Sequence, residues 1–157
     1  MNAHDKKILA QLAQNPGEFI GRLKIVDEKG QERMFNTPFA EQVMALEDFC
    51  SDAETVIHYK PRQIGDTTVA TAYNFNYLYW TQDPARCLVV ADSYDSTDAI
   101  FGRVRHYYRS LPQMLKKPIE RSNKRELIFK DSMAGFRCMT AGGKSDARGW
   151  TYQRLHA

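Results

Sequence analysis

Apolar residues recur at helical spacing near the start of the chain, at Ile8, Leu9 and Leu12, and predict an amphipathic helix within residues 1–25. A turn at Asn15-Pro16-Gly17 and a short apolar piece over 19–25 complete that stretch, and Asp27-Glu28-Lys29-Gly30 reads as a second turn. Thr37-Pro38 ahead of Phe39, Val43, Leu46 and Phe49 predicts a capped helix with proline at its first position. Beyond that helix, strands and helices alternate. Residues 55–59 predict a strand that runs straight into Lys60-Pro61-Arg62-Gln63-Ile64-Gly65-Asp66-Thr67-Thr68, with a helix from 67 to about 80. After a break at Asp83-Pro84, the continuous apolar run 87–91 suits a strand covered on both faces. Asp92-Ser93 then cap a second helix whose buried side carries Ile100, Val104, Tyr107, Tyr108 and Leu111. Residues 127–129 and 136–139 predict a hairpin or two adjacent strands, 140–149 a polar loop, and 150–157 the start of another element. This order implies an α/β fold with a mainly parallel sheet.

Composition narrows the class. A chain of 157 residues, 43% apolar and 11% aromatic, suits one folded domain rather than a disordered or low-complexity polypeptide. No apolar window approaches the length of a membrane span, and the first residues lack the apolar segment of a secretory signal. Cys50, Cys87 and Cys138 form no C-x-x-C pair and are odd in number, which points to free thiols in a reducing compartment. His4, His58, His106 and His156 show no metal-ligand spacing with the cysteines and are assigned no role. Tyr73, Tyr77 and Trp80 lie at helical spacing and are expected in the core, while Asp92, Asp95 and Asp98 suit caps and a solvated first turn. Charge is uneven. Residues 116–130 hold six basic residues (Lys116, Lys117, Arg121, Lys124, Arg125, Lys130) against Glu120 and Glu126, a local excess larger than the net +3 of the whole chain. Such a cluster attracts phosphate backbones, or is simply a solvated loop.

The stretch after the 55–59 strand carries the candidate chemistry. A phosphate loop needs converging backbone N–H groups, a helix start behind them, a cation, and a hydroxyl for Mg²⁺; its common form is G-x-x-x-x-G-K-[ST]. Aligned on Gly65, the eight positions read Lys60, Pro61, Arg62, Gln63, Ile64, Gly65, Asp66 and Thr67. The second glycine and the hydroxyl are in place, but Lys60 stands at the opening glycine and Asp66 at the usual lysine. A carboxylate aimed at a triphosphate opposes binding by roughly 4 kcal/mol per charge pair at about 4 Å and an effective dielectric near 20. Phosphate binding therefore requires Asp66 to be directed elsewhere and Lys60 to reach in from the front of the loop.

Lys-x-Arg-Gln-x-Gly-x-Thr resembles the variant Walker A motif of the large terminase subunits of tailed phages, the ATPases that pump DNA into procapsids. Asn36-Thr37-Pro38-Phe39-Ala40-Glu41-Gln42 is similar to that family's adenine motif, and Ala147-Arg148-Gly149-Trp150 onward resembles the stretch leading into its Walker B strand. The resemblance covers roughly residues 35–157, leaving 1–34 as an N-terminal extension. It implies a three-layer P-loop fold, truncated before the Walker B acidic pair because the chain ends at Ala157. It also implies ATP and Mg²⁺ as cofactors. Gln42 would read the adenine, and Lys60, Arg62, Gln63, Gly65, Asp66, Thr67 and Thr68 would line the phosphate site. Thr67 would be the Mg²⁺ ligand and Thr68 its substitute; Arg62 would act beside the γ-phosphate and Arg148 as a finger reaching a neighbouring subunit. The implied partners are double-stranded DNA, a portal protein and a small terminase subunit. The implied setting is a homo-oligomeric ring docked on a procapsid portal in host cytoplasm, without a membrane; the parent protein would also be an endonuclease. Without the acidic pair, residues 1–157 are expected to bind nucleotide weakly and hydrolyse essentially none. The alternatives are a non-hydrolysing nucleic-acid or partner-binding module, which Asp66 favours, and another P-loop enzyme such as a helicase-like ATPase.

Overall fold

The structure, a computed structural model, describes residues 3–27, 29–36, 38–58, 65–142 and 151–157. Helix α1 (Ala3–Gln14) buries Leu12 and rests Ile8 and Leu9 on the core, as their spacing predicts. Where a plain turn was expected, Asn15 caps a one-turn helix, α2 (Pro16–Ile20): its Oδ1 accepts the Glu18 N–H at 3.1 Å, with Pro16 at the first helical position. The apolar piece that follows is split between α2 and strand β1 (Lys24–Val26), which pairs antiparallel with β2 (Glu32–Met34). The Asp27 carboxylate accepts the Lys29 and Gln31 N–H groups across that turn, and Gly30 supplies its left-handed residue at φ 76°.

Helix α3 (Ala40–Phe49) starts two residues later than Pro38 would have placed it, with Phe39 as its N-cap; Thr37 lies outside the described residues. Phenylalanine has no capping oxygen. Gln42, three residues on, supplies one, its Oε1 accepting the Phe39 N–H at 3.0 Å. Helix α4 (Asp66–Trp80) is buried on nearly every side and forms the centre of the molecule. Strand β3 (Arg86–Ala91) follows, then helix α5 (Tyr94–Ser110), capped by the Ser93 hydroxyl on the Ser96 N–H at 3.2 Å. A 3-10 turn (Gln113–Leu115) leads to β4 (Ile119–Ser122), β5 (Glu126–Phe129), β6 (Gly135–Thr140) and finally β7 (Arg154–His156).

These strands form a five-stranded sheet in the order β4-β5-β6-β3-β7, an α/β arrangement consistent with three layers. The sheet is mixed rather than mainly parallel. Strand β3 runs parallel to both β6 and β7, while β4–β5 and β5–β6 are antiparallel, so the 127–129 and 136–139 runs do form a hairpin. Residues 55–58 carry no sheet pairing, and Tyr59 lies outside the described residues. The strand expected there is therefore not formed over the described residues 55–58.

One core unites the extension with the sheet. Cys87, Val89, Phe136 and Cys138 point to the face covered by α4 and α5, and Leu88, Ile128 and Met139 are buried on the other, as the continuous apolar run predicts. Phe19 is fully buried, its ring 4.8 Å from Tyr79, 5.4 Å from Trp80 and 6.3 Å from Phe75. The Tyr79 hydroxyl donates to the Leu115 carbonyl, and burial pushes that phenol up to about 12. The cysteines are unpaired, and burial likewise raises the Cys87 and Cys138 thiols to about 12. No helix among the described residues is long and apolar enough to cross a membrane. Phe19→Ala is expected to lower stability by about 3–5 kcal/mol; a thermal melt unchanged within error would show that residues 1–34 are dispensable to the core.

Candidate functional site

Helix α4 begins where the candidate phosphate loop ends. Gly65 is its N-cap, with φ 78° and ψ 14°, a left-handed conformation that side chains rarely adopt. The Gly65 carbonyl accepts the Thr68 and Val69 N–H groups at 2.9 and 3.1 Å, so the helix is closed from its first turn. Space gives a second reason for glycine. A Cβ here would overlap the amide nitrogen of Gln42, which is buried at 5% exposure against the Gly65 backbone. Gln42 and Gly65, 23 positions apart, are therefore in direct contact.

A cavity of about 820 Å³ opens beside this junction. Thr67 and Asp66 line it from the start of α4, Ala91 and Asp92 from the carboxyl end of β3, and His156 and Ala157 from the end of β7. Ligands in α/β folds bind at this place, outside the carboxyl ends of parallel strands and at a helix start. Thr67 and Thr68 are told apart by geometry. Thr67 faces this cavity, whereas Thr68 lines a separate one of about 310 Å³ with Ile25 and Tyr107, whose hydroxyl donates to the Thr68 carbonyl at 3.2 Å. A Mg²⁺ ion shared with phosphates needs only one or two protein ligands, and the Thr67 hydroxyl suits that role. Among the described residues no group of three His, Cys, Asp or Glu is arranged to hold a metal by itself.

The described lining is acidic. Glu54, Asp66 and Asp92 face a single guanidinium, Arg154, among the described residues. Arg154 lies over the rings of Tyr73 and Tyr77 at 4.6 and 4.5 Å and donates from Nη2 to the Tyr73 hydroxyl at 3.2 Å. The Ser96 hydroxyl holds the Asp92 carboxyl below its ordinary range, in keeping with a helix-start cap. Asp66 is 5% exposed and accepts from His58, Nδ1 to Oδ1 at 2.8 Å. The other ring nitrogen of His58 lies 3.3 Å from Asp48 Oδ2, and its ring stacks on Phe49 at 5.0 Å.

Beside Gln42 lies a mainly apolar cavity of about 490 Å³, lined by Ile20, Phe35, Pro38, Val43 and Leu46, with Glu18, Arg22, Asn36 and Gln42 as its polar groups. Its size and lining suit a flat heterocycle.

The structure thus brings Gln42, Gly65, Asp66 and Thr67 together and turns Thr68 away. Lys60, Arg62, Gln63 and Arg148 lie outside the described residues. Sequence reasoning missed His58 and Arg154. The Tyr73/Tyr77 pair, one helical turn apart, was the available signal for a stacked cation; the separation of His58 from Asp66 follows no local period and gave none.

The basic segment forms the β4–β5 hairpin and is partly neutralised internally. Lys117 Nζ meets Asp131 Oδ2 at 2.9 Å, and Arg121 Nη1 meets Glu126 Oε1 at 3.1 Å. Arg125 lies 5.7 Å over the ring of Tyr94, and Lys116, Lys124, Arg125 and Lys130 remain exposed.

No protein-family model matches this chain, and no curated protein matches it in sequence.

Two outcomes are expected. Gly65→Ala should cost about 1–3 kcal/mol through its backbone conformation and its overlap with Gln42. Gln42→Ala in the same chain should recover the overlap but not the backbone strain, which a double-mutant cycle by denaturant melts would resolve. Asp131→Asn should cost about 0.5–1 kcal/mol at neutral pH, a value kept small by solvent screening. Partial burial raises the Asp131 carboxyl, but the Lys117 ammonium and the Ser132 N–H outweigh it and hold the group below its ordinary range. The stabilisation is therefore present above the unfolded value of about 3.9 and is lost as pH falls through the lower folded one. The gap between wild type and variant should close as pH falls below the carboxylate range, and a gap independent of pH would refute the pairing.

Proposed function

We propose that this chain is the N-terminal ATPase part of a viral terminase large subunit, one that uses ATP hydrolysis to translocate double-stranded DNA into a procapsid. One observation carries the reading: the amide of Gln42, from the segment resembling the adenine motif, packs on left-handed Gly65, from the segment resembling the Walker A loop. Two stretches that resemble separate halves of one nucleotide site thus meet at a helix start beside a cavity.

The roles follow from that placement. The Gln42 side lies next to a base-sized apolar cavity, and Thr67 faces the larger one, where Mg²⁺ and the phosphates would sit. ATP bound there would supply the phosphoryl group and Mg²⁺ would neutralise developing charge. The described lining is acidic, so the cations that hold a triphosphate must come from Lys60 and Arg62 in the loop, with Arg148 of a neighbouring subunit adding transition-state charge in a ring on the portal. Duplex DNA would meet the exposed cations of the β4–β5 hairpin through its phosphates, with little sequence preference.

The acidic lining also favours a second reading, a non-hydrolysing binding module on the same scaffold. Calorimetry with Mg-ATP separates them: binding that Lys60→Ala abolishes is expected, and no heat from wild type refutes the ATPase reading. Strand β7 carries no Asp-Glu pair, so steady-state turnover by the 157-residue chain should stay at background; clear turnover would contradict the assignment of roles. Affinity for duplex DNA should fall by a log–log slope of up to about 4 with salt, and a flat response would remove the hairpin from the DNA path.

A further inference from the structure

Asp66 occupies the place where a phosphate loop ordinarily carries lysine, and the structure shows what receives its charge. His58, on the segment entering the loop, and Asp66, on the first turn leaving it, are eight positions apart and joined from Nδ1 to Oδ1 at 2.8 Å. Both side chains are largely out of solvent, at 17% and 6% exposure. The imidazole is oriented by two further contacts: its face lies on Phe49, 28° from parallel, and its Nε2 lies 3.3 Å from Asp48 at the end of α3. Phe49 in turn stacks on Tyr73 of α4 at 5.7 Å. A ring fixed on three sides places its Nδ1–H in one direction, towards Asp66.

We propose that His58 is a positioning residue for the anion site at the start of α4: by donating to Asp66 Oδ1 it engages the carboxylate that would otherwise oppose a triphosphate. The inference rests on the ATP reading above. A helix start favours negative charge, so an aspartate on its first turn competes with a phosphate for the same field. A donor aimed at that aspartate draws one oxygen into a charge-assisted hydrogen bond and lowers its repulsion of an incoming anion.

The test is a charge rescue in the full 157-residue chain, read by calorimetric titration with Mg-ATP and by thermal melts. His58→Phe keeps a ring on Phe49 but removes the donor, and should weaken Mg-ATP at least tenfold. Adding Asp66→Asn removes the carboxylate and should return affinity to within threefold of wild type, although the packing is no better than in the single variant. A purely structural role would lower the melting temperature of both variants alike and give no rescue. The proposal is overturned if His58→Phe binds within threefold of wild type, or if the double variant binds no more tightly than His58→Phe. A wild type that takes up no Mg-ATP overturns the ATP reading and this inference with it; a wild type that binds while the variants miss the pattern overturns this inference alone. Should His58→Phe not fold, nitrogen-15 NMR of the His58 ring in the nucleotide-free wild type decides: a proton on Nδ1 at pH 8 is expected, and a bare Nδ1 overturns the proposal.

Discussion

Helix α4 is packed against α2, α3, α5 and the sheet, and a helix enclosed in this way cannot shift its first turn to suit an incoming chain. The chain has to meet the helix where the helix already stands. Gly65 makes that possible, because its left-handed backbone reverses direction in one residue and its missing side chain leaves room for the Gln42 amide. The same glutamine holds the N-terminus of α3 through the Phe39 N–H. The start of α3, the end of the loop and the start of α4 are therefore fixed relative to one another by one amide and one glycine, and the cavities on either side inherit their shape from that junction.

Electrostatics set the second condition on the site. A cavity whose described lining holds three carboxylates and one stacked guanidinium is a poor receptor for a polyanion unless the loop brings cations of its own. Under the proposed ATP reading Lys60 and Arg62 would answer this need, and without them the same balance suits a binding module that does not hydrolyse. Donors face two of the acidic groups. The Ser96 hydroxyl steadies Asp92, and His58 meets Asp66. A buried carboxylate such as Asp66 is tolerated in a folded protein when a donor of this kind faces it.

Much of the architecture was legible in local pattern. The apolar run ending at Ala91, the Ser93 cap and the one-sided apolar stripe from Ile100 to Tyr107 each state their own structure, because one strand or one helix turn is enough to express them. Errors came where a capping side chain or the wider sheet overrode the local pattern. Asn15 was read as a turn residue although its side chain, with Glu18 three residues on, caps a helix. Pro38 was read as a helix start, but Gln42 moved that start to Ala40 by capping from inside. Residues 55–58 have the composition of a strand, yet they join no sheet, and composition alone does not supply a pairing partner.

The sequence by itself determined the α/β class, the helix that follows the loop and the glycine at its start, since each of these is written in residues a few positions apart. The longer list of site residues, from Gln42 and Lys60 to Thr68 and Arg148, rested on a resemblance. Only the tertiary structure decided that Gln42 lies against Gly65, that Thr67 and not Thr68 faces the large cavity, that Asp66 is met by a histidine which the sequence gave no reason to notice, and that β5 runs against the other four strands of its sheet. Each of these depends on which surfaces of separate elements are pressed together, and burial, unlike periodicity, is a property of the whole packed chain.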